Sequence, residues 1–218
     1  MRPFLCLPCL LLLAVLGAAT ASAQVTLRFS GTANVVLSPL TDTFTVGNPF
    51  TFTVTYDPGA TGTYSGDFSR TFNATSAVLS VTRNGGVVWT TNFLSPTIQV
   101  EKTATYDRIY FYGNGGFSDD AENGRTLTSA DLRIYSDTTR PLASFTALPT
   151  DIVRSQWSTG PSQSGLFTYW DMGGTLVRFG ISTVENLSAI PEPSTYAALA
   201  GIVALAGAAW RRARTRAS

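Results

Sequence analysis

Apolar and polar positions alternate with a period of two along the middle of the chain. The clearest case is 50–56, Phe-Thr-Phe-Thr-Val-Thr-Tyr, where every second side chain is apolar. This alternation is typical of a β-strand with one buried face, and Asp57-Pro58-Gly59 then supplies a turn. Segments of the same kind predict further strands at 25–36, 78–82, 87–91, 97–100, 108–112, 132–136, 166–170 and 175–183.

No stretch of ten or more residues in this region shows helical periodicity, so the pattern predicts an all-β domain over 24–188. Asn84-Gly85-Gly86, between two predicted strands, indicates a hairpin. About nine short strands close most naturally as two packed sheets. We therefore expect a single β-sandwich, with a β-barrel as the alternative.

The first 23 residues differ from the middle of the chain. Arg2 precedes an apolar stretch at 10–19, and Ala-Ser-Ala follows at 21–23. This order predicts a signal peptide over 1–23, which the export machinery recognises and signal peptidase removes before Gln24. An uncleaved anchor is the weaker alternative, because the apolar stretch is short.

Composition excludes several functions for the predicted domain. Cys6 and Cys9, the two cysteines of the chain, belong to the predicted signal peptide, and the chain has no histidine. Ser-His-Asp and Cys-His catalytic sites, and zinc sites made from His or thiolate, are therefore excluded. Thirteen acids and ten bases between residues 24 and 190 give a net charge of −3, which argues against nucleic acid binding. We predict that the domain is not an enzyme.

Asp119, Asp120 and Glu122 form the densest group of acids and lie in a Gly/Asn-rich segment. Carboxylate and amide oxygens are hard donors, so a Ca²⁺ site is one hypothesis, although the spacing differs from a helix-loop-helix calcium loop. A solvated acidic loop is the alternative, in which case no cofactor is expected. The same acids would support glycoside hydrolysis only in a buried cleft.

Trp157, Tyr169 and Trp170 lie close together in the sequence, and flat rings can stack on the faces of sugars. They are the candidate residues of a carbohydrate-binding site. The alternative is that Trp170 and Phe167 are core residues of a strand and Trp157 fills a loop.

The C-terminal end has three parts, which together make up the tail 189–218. Pro191-Glu192-Pro193 comes first, and an almost wholly apolar segment at 194–210 follows. As a helix that segment would be about 25 Å long, against a hydrocarbon core of about 30 Å, so we expect a short and weak transmembrane anchor. Four arginines after it predict a cytoplasmic end by the positive-inside rule: Arg211, Arg212, Arg214 and Arg216.

This order of Pro-Glu-Pro box, apolar helix and arginine cluster resembles the PEP-CTERM sorting signal. The resemblance implies an exported protein of a Gram-negative-type bacterium, whose tail is processed by exosortase, a membrane-embedded sorting protease. It assigns Pro191, Glu192 and Pro193 as the motif residues. A permanent single-pass anchor is the alternative.

These patterns together predict transient anchoring in the inner membrane, followed by a location at the cell surface or outside the cell. We expect a cell-surface or extracellular-matrix protein with a structural or adhesive ectodomain. A carbohydrate-binding or carbohydrate-active ectodomain, with an extracellular polysaccharide as partner, is the alternative.

Overall fold

The computed structural model describes residues 24–114, 127–158, 164–170 and 175–188 and, in the tail, Gly201, Ile202 and Leu205. The chain divides into two compact units, Met1–Asn186 and Leu187–Ser218. The strands are β1 (Val25–Val36), β2 (Pro49–Tyr56), β3 (Thr63–Gly66), β4 (Ser69–Asn73), β5 (Ser76–Thr82), β6 (Val88–Asn92), β7 (Thr97–Lys102), β8 (Asp107–Asn114), β9 (Leu127–Ser136), β10 (Gly165–Trp170) and β11 (Thr175–Asn186). Short 3-10 turns lie at Leu40–Asp42, Asn84–Gly86 and Arg154–Gln156.

The eleven strands form one hydrogen-bonded sheet in the order β3-β4-β7-β8-β9-β10-β11-β1-β2-β5-β6, and every neighbouring pair is antiparallel. The first and last strands, β1 and β11, lie side by side in its interior. No α-helix occurs in the described part of this unit. The predicted all-β class is therefore confirmed.

The sheet curls strongly on itself. Phe29 on β1 and Phe111 on β8 have ring centroids 5.2 Å apart, although β9, β10 and β11 lie between their strands. In a flat sheet four strand spacings would separate these strands by about 19 Å. The inner faces of distant strands therefore meet in one core. The sandwich predicted for these strands stays a prediction, and so does the barrel given as its alternative.

Alternation explains which side chains enter that core. On β2, Phe50, Phe52 and Val54 are buried, whereas Thr51 is exposed and Thr53 is half-buried on the opposite face. Burial of each such apolar side chain stabilises the fold by about 1.5–3 kcal/mol. The outer faces of β1, β2 and β5 are rich in Thr and Ser.

The predicted hairpin at Asn84-Gly85-Gly86 is confirmed, since β5 and β6 pair on either side of it. Gly85 and Gly86 have φ values of 80° and 82°, in the left-handed region where a side chain is strained. Close packing requires a third glycine: a Cβ on Gly31 would lie 1.8 Å from the carbonyl oxygen of Gly180 on β11. Gly31 thus allows β1 and β11 to approach at the point where their register shifts.

A buried carboxylate holds the long connection that follows β9. Asp107, at the start of β8, is fully buried and accepts a 2.8 Å hydrogen bond from the backbone N–H of Leu142. Its other oxygen lies 3.5 Å from Lys102 Nζ and 3.8 Å from Arg140 Nε. One acid therefore pairs with two cations and fixes the connection against the sheet.

The predicted signal peptide, 1–23, lies outside the described residues and stays a prediction. Of the predicted membrane helix at 194–210, the structure describes Gly201, Ile202 and Leu205, which are helical. Among the described residues, no helix has both the length and the apolar character needed to cross a membrane.

Candidate functional site

The outer face of β7, β8, β9 and β10 differs from the Thr-rich remainder of the sheet. Alternate residues of these strands present aromatic rings and charged groups. We call this surface the aromatic face, and it comprises Gln99, Glu101, Arg108, Tyr110, Tyr112, Asp131, Arg133, Tyr135, Phe167 and Tyr169. Cross-strand register brings them into contact, since Tyr110 lies opposite both Gln99 and Arg133.

Tyr110 is the centre of the aromatic face. Its ring stacks on that of Tyr112, with centroids 5.2 Å apart and planes 14° apart. The guanidinium groups of Arg108 and Arg133 lie 4.3 Å and 5.3 Å from its centroid, and Arg133 also lies 4.6 Å from the ring of Phe167. Each contact between a cation and a ring contributes about 0.5–2 kcal/mol. Tyr110 is consequently buried, and its burial raises the pKa of its hydroxyl.

The two arginines of the aromatic face, Arg108 and Arg133, each form an ion pair with an acid of the same face. Arg108 pairs with Glu101, which also accepts a 2.6 Å hydrogen bond from the hydroxyl of Tyr106. Arg133 Nε donates to Asp131 Oδ2 at 3.2 Å. Both arginine side chains are about one-third exposed, so solvent screening limits each pair to less than about 1 kcal/mol. The pairs therefore mainly hold the guanidinium planes over the rings.

Asp131 is the most buried charged group on this face, at 8% exposure. It lies opposite Tyr112 on one side and Phe167 on the other. Its Oδ1 atom has no hydrogen-bond partner among the described residues. Loss of water raises the pKa of the carboxyl above its ordinary value, and the hydrogen bond and charge of Arg133 oppose that rise.

The solvent-facing part of the aromatic face consists of rings and hydroxyls. Tyr112 and Tyr169 are half-buried, and the hydroxyl of Tyr112 donates to Gln99 Oε1 at 3.1 Å. Burial raises the pKa of Tyr112, and the nearby Tyr110 and Asp131 raise it further, so the phenol stays neutral at physiological pH. Such a surface can stack on flat ligand faces and exchange hydrogen bonds.

The three residues of the predicted carbohydrate site do not share a surface. Trp157 and Trp170 are 5% and 1% exposed and belong to the core. Trp170 packs 5.3 Å from the ring of Phe44, and its Nε1–H donates to Thr168 Oγ1 at 3.0 Å. Tyr169 points to the other face of β10 and joins the aromatic face.

The remaining predicted residues lie outside the described part of the chain. These are the acids proposed for Ca²⁺, the Pro-Glu-Pro box and the terminal arginines: Asp119, Asp120, Glu122, Pro191, Glu192, Pro193, Arg211, Arg212, Arg214 and Arg216. Within the described residues, no group of three His, Cys, Asp or Glu side chains is placed to hold a metal ion.

The sequence carries a signal for the aromatic face that the alternation of apolar positions alone does not show. Residues 108–112, Arg-Ile-Tyr-Phe-Tyr, alternate as a strand should, but their outer positions are Arg and Tyr instead of Thr. Residues 131–135, Asp-Leu-Arg-Ile-Tyr, repeat this composition. Attention to the outer set of each strand, as well as the inner set, would have identified the face.

Comparison with known protein families identifies the tail. Residues 189–213 match the family model of the PEP-CTERM protein-sorting motif. The match includes Pro191-Glu192-Pro193 and confirms the resemblance found in the sequence. No curated protein and no solved structure matches the chain.

Proposed function

We infer that this chain, a PEP-CTERM protein exported and sorted by exosortase, carries a non-enzymatic ectodomain with a structural or adhesive role. The observation that carries the proposal is the sorting motif at 189–213, which follows a compact β-sheet unit. In this scheme the signal peptide at 1–23 directs export, and the helix at 194–210 retains the protein in the inner membrane. Exosortase then acts near the Pro-Glu-Pro box, and the ectodomain passes to the cell surface or the extracellular matrix.

The aromatic face supports an adhesive role. Tyrosine offers a large contact area at low cost in side-chain entropy, which is why it is enriched where proteins bind other molecules. Here Arg108 and Arg133 hold the ring of Tyr110 in place, and Tyr112 stacks on Tyr110. Both rings are therefore ordered before any ligand binds, and binding would cost little side-chain entropy. The acids of this face, Glu101 and Asp131, are each paired with an arginine, an arrangement suited to contact more than to catalysis.

Mass spectrometry of the termini tests the sorting scheme. The protein is recovered from the membrane and released fractions of its native host, and intact mass and terminal peptides are measured. We expect a start at Gln24 and loss of the segment after Pro193 in the released form. A doubly substituted variant, Pro191→Ala with Pro193→Ala, should stay in the membrane fraction, whereas Ser188→Ala, outside the matched residues, should be processed normally. A wild-type C-terminus at Ser218 in the membrane fraction would make the chain a permanent single-pass protein and refute the scheme.

A second candidate function is binding of an extracellular polysaccharide. The observation that favours it is the pair of half-buried rings, Tyr112 and Tyr169, on the face that also contains buried Asp131. Affinity electrophoresis in gels containing the polysaccharide of the host tests it. Tyr112→Ala and Tyr169→Ala should each reduce retardation severalfold. Tyr64→Ala, an exposed ring on β3, is the matched control. Equal mobility with and without polysaccharide would leave the adhesive role to protein contacts.

A further inference from the structure

The two edges of the sheet differ in how they are protected. Strand β3 is four residues long, and its register with β4 shifts between Tyr64 and Gly66. Asp67 follows the strand directly, and Arg70 on β4 lies opposite Tyr64. A bulge and nearby charges are common means of preventing an edge strand from pairing with another chain. Strand β6, at the opposite edge, has neither: residues 84–100 contain no acidic or basic side chain.

Strand β6 also exposes apolar side chains. Val88 is 63% exposed, and Val87, just before the strand, and Leu94, just after it, are 52% and 72% exposed. An uncharged edge with exposed apolar residues favours the addition of a further strand. A second copy of the chain would bring an edge that is equally uncharged. Pairing of the two edges would therefore place no like charges opposite each other.

The backbone of β6 has groups available for that pairing. Arg83 N–H donates to Val87 O at 2.7 Å, and Phe93 N–H donates to Ala77 O at 3.0 Å. In an antiparallel ladder alternate residues exchange hydrogen bonds with the neighbouring strand, so odd-numbered residues of β6 bond to β5. The N–H and C=O groups of Val88, Thr90 and Asn92 therefore point away from β5.

The direction of the strands decides between the possible partners. All neighbouring strands are antiparallel, so the strand direction alternates across the sheet. The first and the eleventh strand in the order, β3 and β6, therefore run in the same direction. Joining β6 to β3 of the next copy in a continuing sheet would create a parallel pair. Joining β6 to β6 of a second copy across a two-fold axis creates an antiparallel pair, which is the more stable kind and the commonest symmetry of protein dimers.

We propose that β6 is a dimerisation edge that pairs antiparallel with β6 of a second copy, with Thr90 on the two-fold axis. In this register Val88 lies opposite Asn92 of the second copy, and all outward backbone groups of the strand are bonded. The register also places Trp89 opposite Thr91 of the second copy. Trp89 Nε1 and Thr91 Oγ1 are a buried donor and a buried acceptor without a hydrogen-bond partner among the described residues, so the register sets residues with complementary unpaired groups opposite each other.

Disulfide trapping tests the register. Thr90→Cys is made in the full chain with Cys6→Ala and Cys9→Ala, so that it is the sole thiol, and purified in mild detergent. Residues of a hydrogen-bonded antiparallel pair have Cα atoms about 5.5 Å apart, within the range that a disulfide can bridge. We expect most of this variant to migrate as a reducible dimer after mild oxidation. Thr51→Cys, on the same face of interior strand β2, should stay monomeric.

Sedimentation of the full chain between about 1 and 200 µM gives an independent measure, because an interface of one strand belongs to the weak, transient class. Wild type should dimerise reversibly over this range. Thr90→Lys, which sets two like charges together on the axis, should raise Kd at least tenfold, and Thr51→Lys should not. Circular dichroism verifies that each variant is folded.

Wild-type protein that is monomeric throughout, or equal cross-linking of Thr90→Cys and Thr51→Cys, would overturn the proposal. Dimers trapped by Ser65→Cys on β3, and not by Thr90→Cys, would likewise overturn it in favour of the other edge. Processing of the tail is measured separately, so failure of the dimer leaves the sorting scheme unaffected.

Discussion

The indole rings of Trp89 and Trp170 have centroids 5.4 Å apart, although their strands, β6 and β10, are five positions apart in the sheet. A flat sheet would place those strands about 24 Å apart. This contact therefore depends on the curl of the sheet, and it connects the edge strand β6 to the interior strand β10 across the core.

Replacing Trp170 by Ala should lower the free energy of unfolding by about 3–5 kcal/mol, because it removes a fully buried ring and leaves a cavity. Its neighbour Tyr169 lies on the outer face, so Tyr169→Ala should cost less than half as much. Urea denaturation followed by circular dichroism measures both. Similar losses for the two variants would contradict the assignment of the two faces of β10.

Asp107→Asn should destabilise the protein by about 1–3 kcal/mol. The substitution removes the charge that pairs with Lys102 and Arg140 and disturbs the buried hydrogen bond from Leu142 N–H, while both cations keep partial contact with solvent. Asp137, an exposed acid on the connection after β9, provides the control, and Asp137→Asn should change stability by no more than about 0.5 kcal/mol. Unfolding midpoints in urea separate the outcomes, and equal midpoints for wild type and Asp107→Asn would exclude a structural role for the carboxylate.

The carboxyl group of Asp131 should titrate above the ordinary aspartate pKa of about 3.9. Because burial raises its pKa in the folded state, its contribution to stability is fully present below the unfolded pKa and is lost as pH rises through the folded pKa. The stability of wild type relative to Asp131→Asn should therefore fall as pH increases from acid towards neutral. Carboxyl NMR shifts give the pKa directly. Arg133→Gln should raise it further, and a decrease in that variant would show that Arg133 does not stabilise the ionised form.

Gly31→Ala should destabilise the protein by about 1–3 kcal/mol, the usual effect of forcing an atom into a packed site. The new Cβ would meet the backbone oxygen of Gly180, which cannot move without disturbing the pairing of β1 with β11. Gly59→Ala is the control, since its nearest neighbour is a side-chain oxygen of Asp57 at 3.3 Å. Thermal melting compares the two, and a Tm for Gly31→Ala equal to that of wild type would mean that the two strands separate at little cost.

All nine strands predicted from period-two alternation are present, and for β1 the predicted bounds, 25–36, agree with the structure. The pattern missed β3 and β4. The side chains of β3 are exposed on both faces, so no alternation marks them. Alternation is a local property, whereas the curl and the pairing of β1 with β11 depend on contacts between residues about 150 positions apart.

The candidate site was predicted less well than the fold. Trp170 and Trp157 attracted attention as large rings, but ring size does not tell a buried ring from an exposed one. For Trp170 the strand alternation itself separates the two cases. Trp170 is four positions from apolar Leu166 and shares its face, whereas Tyr169 is two positions from Phe167 and shares a face with it and with the charged groups of β9. The stacking of Arg108 and Arg133 on Tyr110 depends on the cross-strand register, which is known only once the strand order is known.

The adjacency of β1 and β11 also bears on how the ectodomain responds to mechanical load. Leu27, near the start of β1, lies opposite Asn186, the last residue of β11. In the proposed scheme, in which the tail anchors the protein, a pull on the domain reaches β11, an interior strand bonded on one side to β1 and on the other to β10. Two ladders must therefore yield before β11 is extracted, whereas a load applied to an edge strand would have only one ladder to break.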